Sequence, residues 1–237
     1  MAESIQVILE ALPALLTGAV VTLQLTLLSA IVGMVGGSLL ALARLSASAP
    51  IRWFARIYID FFRGTPLLVQ LFMIYFGLPA LMQQAFGIPL RWDRFTAGVV
   101  ALGFNSAAYI AEIMRAGIES IDLGQSEASQ SLGLGSVQTL RYVVFPQALR
   151  RMLPPLGNEF ITMLKDTSLV AVIGFEELLR QGQLIVARNY QAFQIYLAVA
   201  ITYLILTILS SRAFSFLEDW MNPIKRAKRA SNQAARS

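Results

Sequence analysis

Residues 11–43 read ALPALLTGAVVTLQLTLLSAIVGMVGGSLLALA, a run of 33 positions between Glu10 and Arg44 without one charge. A helix rising 1.5 Å per residue crosses roughly 30 Å of hydrocarbon with about 20 apolar residues. The run therefore reads as a membrane-spanning helix. Its apolar residues are continuous rather than alternating over about ten positions, so it does not read as a barrel strand. Three more charge-free gaps follow: 27 residues between Arg63 and Arg91, 17 between Arg94 and Glu112, and 23 between Arg188 and Arg212. Each predicts one crossing. A fifth candidate, residues 153–175 (LPPLGNEFITMLKDTSLVAVIGF), is mostly apolar but carries Glu159, Lys165 and Asp166. By composition alone it is either an amphipathic surface helix or a span lined with polar groups.

The basic residues choose between these. Arg44, Arg52, Arg56 and Arg63 lie between the first and second spans, and Arg115, Arg141, Arg150 and Arg151 lie between the third and the 153–175 segment. Arg212, Lys225, Arg226, Lys228, Arg229 and Arg236 follow the last span. Basic residues collect on the cytoplasmic side, and these three groups share a side only if 153–175 crosses. The expected fold is an all-α integral membrane protein with five transmembrane helices, N-terminus out and C-terminus in. Its expected parts are an extracytoplasmic segment over 1–14, a transmembrane domain over 15–216 and a basic cytoplasmic tail over 217–237. The first residues, MAESIQVILE, have acidic groups and no basic region of the kind that opens a signal peptide.

Composition agrees. The 237-residue chain is 56% hydrophobic and 14% charged, with a mean hydropathy of +0.62, against roughly a quarter charged in a soluble domain. It has no His and no Cys, which removes imidazole bases, thiol nucleophiles, disulfides and Cys/His zinc sites. No catalytic residue and no metal site is expected. The pI near 9.8 follows from cytoplasmic basic residues and a tail suited to anionic lipid headgroups, so no nucleic-acid partner is expected.

The polar stretch Ile121–Arg151, IDLGQSEASQSLGLGSVQTLRYVVFPQALRR, is too polar to span and too patterned for a linker. Ser126 can cap a helix beginning at Glu127, Gly133-Leu134-Gly135 breaks it, and Ser136 can cap a second helix that Pro146 interrupts or kinks. Two short helices at a glycine turn make a rigid knob at the membrane face, able to carry a push from a cytoplasmic partner.

Glu127-Ala128-Ser129, three residues, Gly133, nine residues, then Val143-Val144-Phe145-Pro146 resembles the EAA loop of ABC importer permeases, whose pattern is E-A-A, three residues, G, nine residues, I-x-L-P. Ser129, Val143 and Phe145 depart from that pattern by small or apolar exchanges. Residues 15–37, 58–79, 107–121 and 164–174 are similar to the polar amino-acid branch of the family, which includes importers of histidine, glutamine, glutamate and arginine. The resemblance implies a type I ABC importer permease fold in the bacterial cytoplasmic (inner) membrane. It implies two cytoplasmic ATP-binding subunits, a second permease subunit (identical or related) and an extracytoplasmic amino-acid-binding protein. It places the coupling interface at Glu127, Ala128, Ser129, Leu132, Gly133 and Pro146. The chain has no G-x-x-x-x-G-K-[ST] phosphate loop, so no cofactor of its own is expected and ATP belongs to the partner subunit.

Charged groups at membrane depth cost roughly 2.5–3.5 kcal/mol each on insertion scales, and a paired bundle gives Glu112, Glu159, Lys165 and Asp166 an interior. Gly33 and Gly37 form a G-x-x-x-G with Gly36 beside it, which reads as close helix packing. Candidate cargo contacts are Asn105 and Ser106 in the third span and Lys165, Asp166, Thr167 and Ser168 in the fourth, since amides, hydroxyls and paired charges suit a zwitterion. Lys165 and Asp166 can equally be a structural pair or gate element, and Glu112 is expected to pair with a basic neighbour. In Arg63-Gly64-Thr65-Pro66, Thr65 reads as a cap and Pro66 as a first helical residue. The competing function is an ATP-independent secondary transporter or channel, which leaves the knob unexplained. A membrane enzyme lacks any D-x-x-D or E-x-x-D pair within a span.

Overall fold

The computed structural model describes residues 2–221, and among these every regular element is helical. The helices are α1 (Ala2–Arg44), α2 (Ala49–Gly64), α3 (Leu67–Phe72), α4 (Leu78–Phe86), α5 (Arg94–Glu119), α6 (Leu123–Ser131), α7 (Ser136–Thr139), α8 (Phe145–Asp166), α9 (Leu178–Asn189) and α10 (Ala192–Met221). The tail from Asn222, with its expected lipid contacts, lies outside the described residues.

Four helical stretches are long and apolar enough to cross a membrane: α1, Leu67–Phe86, α5 and α10. The 153–175 segment is ordered as most of α8 followed by a 3-10 turn, Thr167–Ile173. At 22 residues, roughly 33 Å, α8 has the length of a crossing, but Arg150, Arg151, Glu159, Lys165 and Asp166 lower its hydropathy.

α1 and α5 form the most extensive helix pair, because glycines let their backbones touch. A Cβ on Gly37 would come 2.6 Å from Ile110 Cγ2, and one on Gly33 3.0 Å from Ser106 Cβ. From the other side, a Cβ on Gly103 would meet Val32 Cγ1 at 2.6 Å. The G-x-x-x-G motif is thus used inside this chain. Leu25, Ala97, Ala101, Leu102, Met163 and Val170 gather α1, α5 and the α8 end into one core cluster.

Both π turns have the same cause. Met73–Gly77 joins α3 to α4 and Leu140–Val144 joins α7 to α8, and a proline, Pro79 or Pro146, stands two residues beyond each. Proline lacks an N–H and its ring crowds the carbonyl four residues back; a wider turn relieves that crowding while the helix continues. Pro146 therefore sits in the first turn of α8 rather than ending a helix.

Three predicted caps move. Asp122, not Ser126, caps the first knob helix, its Oδ1 accepting from Gly124 N at 2.7 Å, because α6 starts four residues earlier than the glutamate suggested. Gly135, not Ser136, is the N-cap of α7, with its N–H donating to Gln138 Oε1 at 2.9 Å. Thr65 closes α2, donating to Phe61 O at 2.8 Å, and Pro66 is itself the N-cap of α3. At the start of α5, Asp93 Oδ1 accepts from Thr96 N at 2.9 Å. Contacts from the Thr96 side chain and its N–H hold that carboxyl below the usual range.

The stretch that follows the 153–175 segment holds α9. Glu177, fully buried, caps it by accepting from Leu179 N and Arg180 N, and Tyr203 of α10 donates to Glu177 Oε2 at 2.6 Å. Leu178 N donates to Thr22 Oγ1 of α1 at 3.2 Å, so one acidic cap ties α9 to both flanking spans.

Candidate functional site

The Ile121–Arg151 stretch forms the two-helix knob that its pattern predicts. Gly133 takes φ +85 between α6 and α7, a left-handed conformation that favours glycine, and nothing lies within 4 Å of where its Cβ would stand. Backbone conformation, not crowding, asks for glycine here. Ser129 and Thr139 are buried, and their hydroxyls lie 2.9 Å apart across the two helices. The serine that replaces the second alanine of the E-A-A pattern thus contributes a polar link inside the knob.

The knob is fastened to its supports. Ile121, Val144, Ala148 and Met152 form a buried cluster where α5, the π turn and α8 meet. Gly117 of α5 lies so close to Met152 that a Cβ would come 2.4 Å from its Cγ, and Arg151 donates to Ser120 O. Gln147 Nε2 reaches Gln125 Oε1 at 3.3 Å. Away from this root, Leu123, Leu132 and Val137 are 78%, 83% and 79% exposed. Three aliphatic side chains so exposed, beside exposed Glu127, Ala128, Gly133 and Pro146, make an apolar face with a charged edge. Ser129, grouped with them by sequence, points inward.

The cargo candidates divide. Asn105 Nδ2 donates to Gln70 Oε1 at 2.9 Å and to Phe62 O at 3.2 Å. Gln70 Nε2 in turn donates to Phe62 O and to Thr65 O and Oγ1. This network closes the α2–α3 break, so Asn105 joins α5 to that break. Ser106 is buried with Oγ unpartnered, packed on Gly33. Thr167 is buried and donates to Leu164 O at 2.7 Å. Lys165 is exposed, Asp166 and Ser168 are half-buried, and no ion pair within 4 Å joins Lys165 to Asp166 among the described residues.

A charge hub at Glu112 confirms the expected pairing and exceeds it. Arg115 Nε lies 3.0 and 3.1 Å from its two oxygens and Arg115 Nη2 2.8 Å from Oε2. Arg44 of α1 and Arg63 of α2 each approach to 3.8 Å, and Arg63 lies over the Tyr109 ring at 5.4 Å. Three helices thus meet at one carboxylate. Sequence spacing showed only the i,i+3 partner, because Arg44 and Arg63 arrive from other helices.

Residues 33–223 match the family model described as binding-protein-dependent transport system inner membrane component. The chain is 47% identical over 211 residues to the glutamine transport system permease protein GlnP of Escherichia coli (strain K12), covering 89% of this chain and 94% of that one. It is 39% identical over 198 residues to the arginine transport system permease protein ArtQ of Bacillus subtilis (strain 168), covering 84% and 88%. A crystal structure of an amino acid ABC transporter with histidines superposes with a TM-score of 0.82 at 45% identity, covering 89% of this chain and 95% of that one. The MetNI methionine ABC transporter shares the fold at 23% identity and a TM-score of 0.68. A helical bundle, a two-helix knob carrying the E-A-A–G pattern, and relatives over most of its length place this chain in the binding-protein-dependent transport family, as a multi-pass permease subunit of an ATP-driven ABC importer.

Proposed function

We propose that this permease carries polar amino acids inward across the bacterial cytoplasmic membrane, with its knob seated in a separate ATP-binding subunit. The supporting observation is the knob itself: an exposed apolar face at Leu132 and Val137, rigid about Gly133 and rooted in both α5 and α8. Force on that face is passed to two long helices as a rigid-body motion. The glutamine and arginine permeases among its relatives support amino acids as cargo.

In this reading five segments cross, α8 being the polar-lined one, with the N-terminus outside and the knob inside. Two permease subunits pair around one pathway, two ATP-binding subunits hold the two knobs, and an external binding protein delivers cargo. ATP binding draws the knobs together and turns the pathway outward; hydrolysis resets it. The energy transferred equals the difference in knob docking between the two states. Glu127, Ala128, Leu132, Gly133 and Pro146 meet the ATPase, with Ser129 stiffening the knob from within. Along the pathway, Lys165, Asp166 and Ser168 have polar atoms free for cargo, whereas Asn105, Thr167 and Ser106, the last buried against Gly33, position helices.

Gly133→Asp tests this. The site has room for a side chain, and aspartate is among the residues that tolerate the left-handed region best, so the protein folds and inserts. A charge on the docking face then abolishes cargo-stimulated ATP hydrolysis and uptake in proteoliposomes. Normal stimulation and uptake in that variant, or gradient-driven uptake by the isolated chain, overturns the assignment.

A further inference from the structure

Between α2, α5 and the root of α8 lies a cavity of about 450 Å³ whose walls include Arg63, Tyr109, Glu112, Ala116, Ser120 and Arg151. This is the size range of small-ligand sites. Its electrostatics are unbalanced. Both Glu112 oxygens are hydrogen-bonded by Arg115, which also pairs with Glu119. Arg44 and Arg63 stand off at 3.8 Å, near enough for attraction but too far for a hydrogen bond. Among the described residues nothing accepts a hydrogen bond from the Arg63 guanidinium, which is steadied over the Tyr109 ring. A second guanidinium, Arg151, lines the same cavity and is anchored through Ser120 O.

We infer that this cavity is a cytoplasm-side station for a free amino acid, in which Arg63 binds the α-carboxylate with Arg151 beside it. A planar guanidinium with unspent donors matches a carboxylate in the two-point fork geometry, and Arg151 in the same wall adds positive charge that Glu112, held by Arg115, does not cancel. The inference rests on the amino-acid importer reading. The station is separate from Asn105, which lies seven residues, about 10 Å, back along α5. Its walls reach from α2 along the last three turns of α5 to the first three turns of α8, and α5 and α8 are the two supports of the knob, so an occupant bears directly on the coupling element.

The chain has no cysteine, so Ala116→Cys places one exposed thiol on this chain at the cavity wall. The full importer, assembled with cysteine-free partners in proteoliposomes whose ATPases face the medium, is labelled with a small thiol reagent. L-Glutamine added on that side, at about ten times its Kd, slows labelling roughly tenfold, and L-glutaminol, which lacks the carboxylate, does not. Arg63→Gln in the same background removes the protection, whereas Arg56→Gln, an exposed charge elsewhere on α2, keeps it. No protection by L-glutamine, or by any other amino acid the importer takes up, with uptake intact overturns the station and leaves the importer reading standing. Protection by phosphatidylglycerol in the vesicles, with none from amino acids, also overturns it, by giving the surplus charge to lipid phosphate. Absence of uptake for every amino acid sinks the importer reading and the station together.

Discussion

At the residue scale, two glycines of the knob and its root serve different ends. Gly133 is required by its φ of +85 and stands in open space; Gly117 is required by contact, since a Cβ would overlap Met152 at 2.4 Å. Gly117→Ala therefore overpacks the knob root and destabilises by about 1–3 kcal/mol, read as a lower midpoint in thermal unfolding of the purified chain. In a Met152→Ala background the same glycine substitution costs less, because the atoms in the way are gone. An equal cost of Gly117→Ala in both backgrounds argues against the contact. Gly133 was legible from the motif, since a glycine break between two short helices has a local cause. Gly117 was not, because its reason lies 35 residues further along the chain.

Among the helices, proline placement governs the two π turns. The Pro146 ring imposes the wide turn through which α7 runs into α8. Pro146→Ala supplies an N–H, narrows that turn toward regular α geometry and rotates the knob relative to α8. The variant is expected to be at least as helical by circular dichroism yet to lose most cargo-stimulated ATP hydrolysis. Full coupling in Pro146→Ala shows that the turn is incidental. The charge-free gaps announced the long helices because hydropathy is a property of consecutive residues. They missed the cap at Asp122, the closing role of Thr65 and the helix over 178–189. Those depend on which of several nearby polar residues the fold brings to a free N–H or carbonyl.

At the scale of the molecule, the knob and the α4–α5 connection are expected on opposite sides of the membrane. With the cysteine-free chain as background, Ser131→Cys in the knob should react with an impermeant maleimide in inside-out vesicles only. Gln84→Cys at the end of α4 should react in right-side-out vesicles only. The reverse pattern, or reaction of both on one side, overturns the proposed orientation. The same topology puts the Glu112 hub, where α1, α2 and α5 converge, on the knob side of the bundle.

Hydrophobic length, the distribution of positive charge and the E-A-A–G spacing were determined by the sequence alone, and with them the class of protein and the position of its two-helix knob. Each is local, set by transfer of consecutive side chains from water or by a glycine's backbone freedom. Tertiary structure decided the rest. It spent the G-x-x-x-G motif on α5, turned Ser129 inward, committed Asn105 to the α2–α3 break and buried Glu177 as a cap. It also left Arg63 with unspent donors at a cavity. These outcomes depend on which helices meet at which depth, and a partner dozens of residues away leaves no periodic mark in the chain.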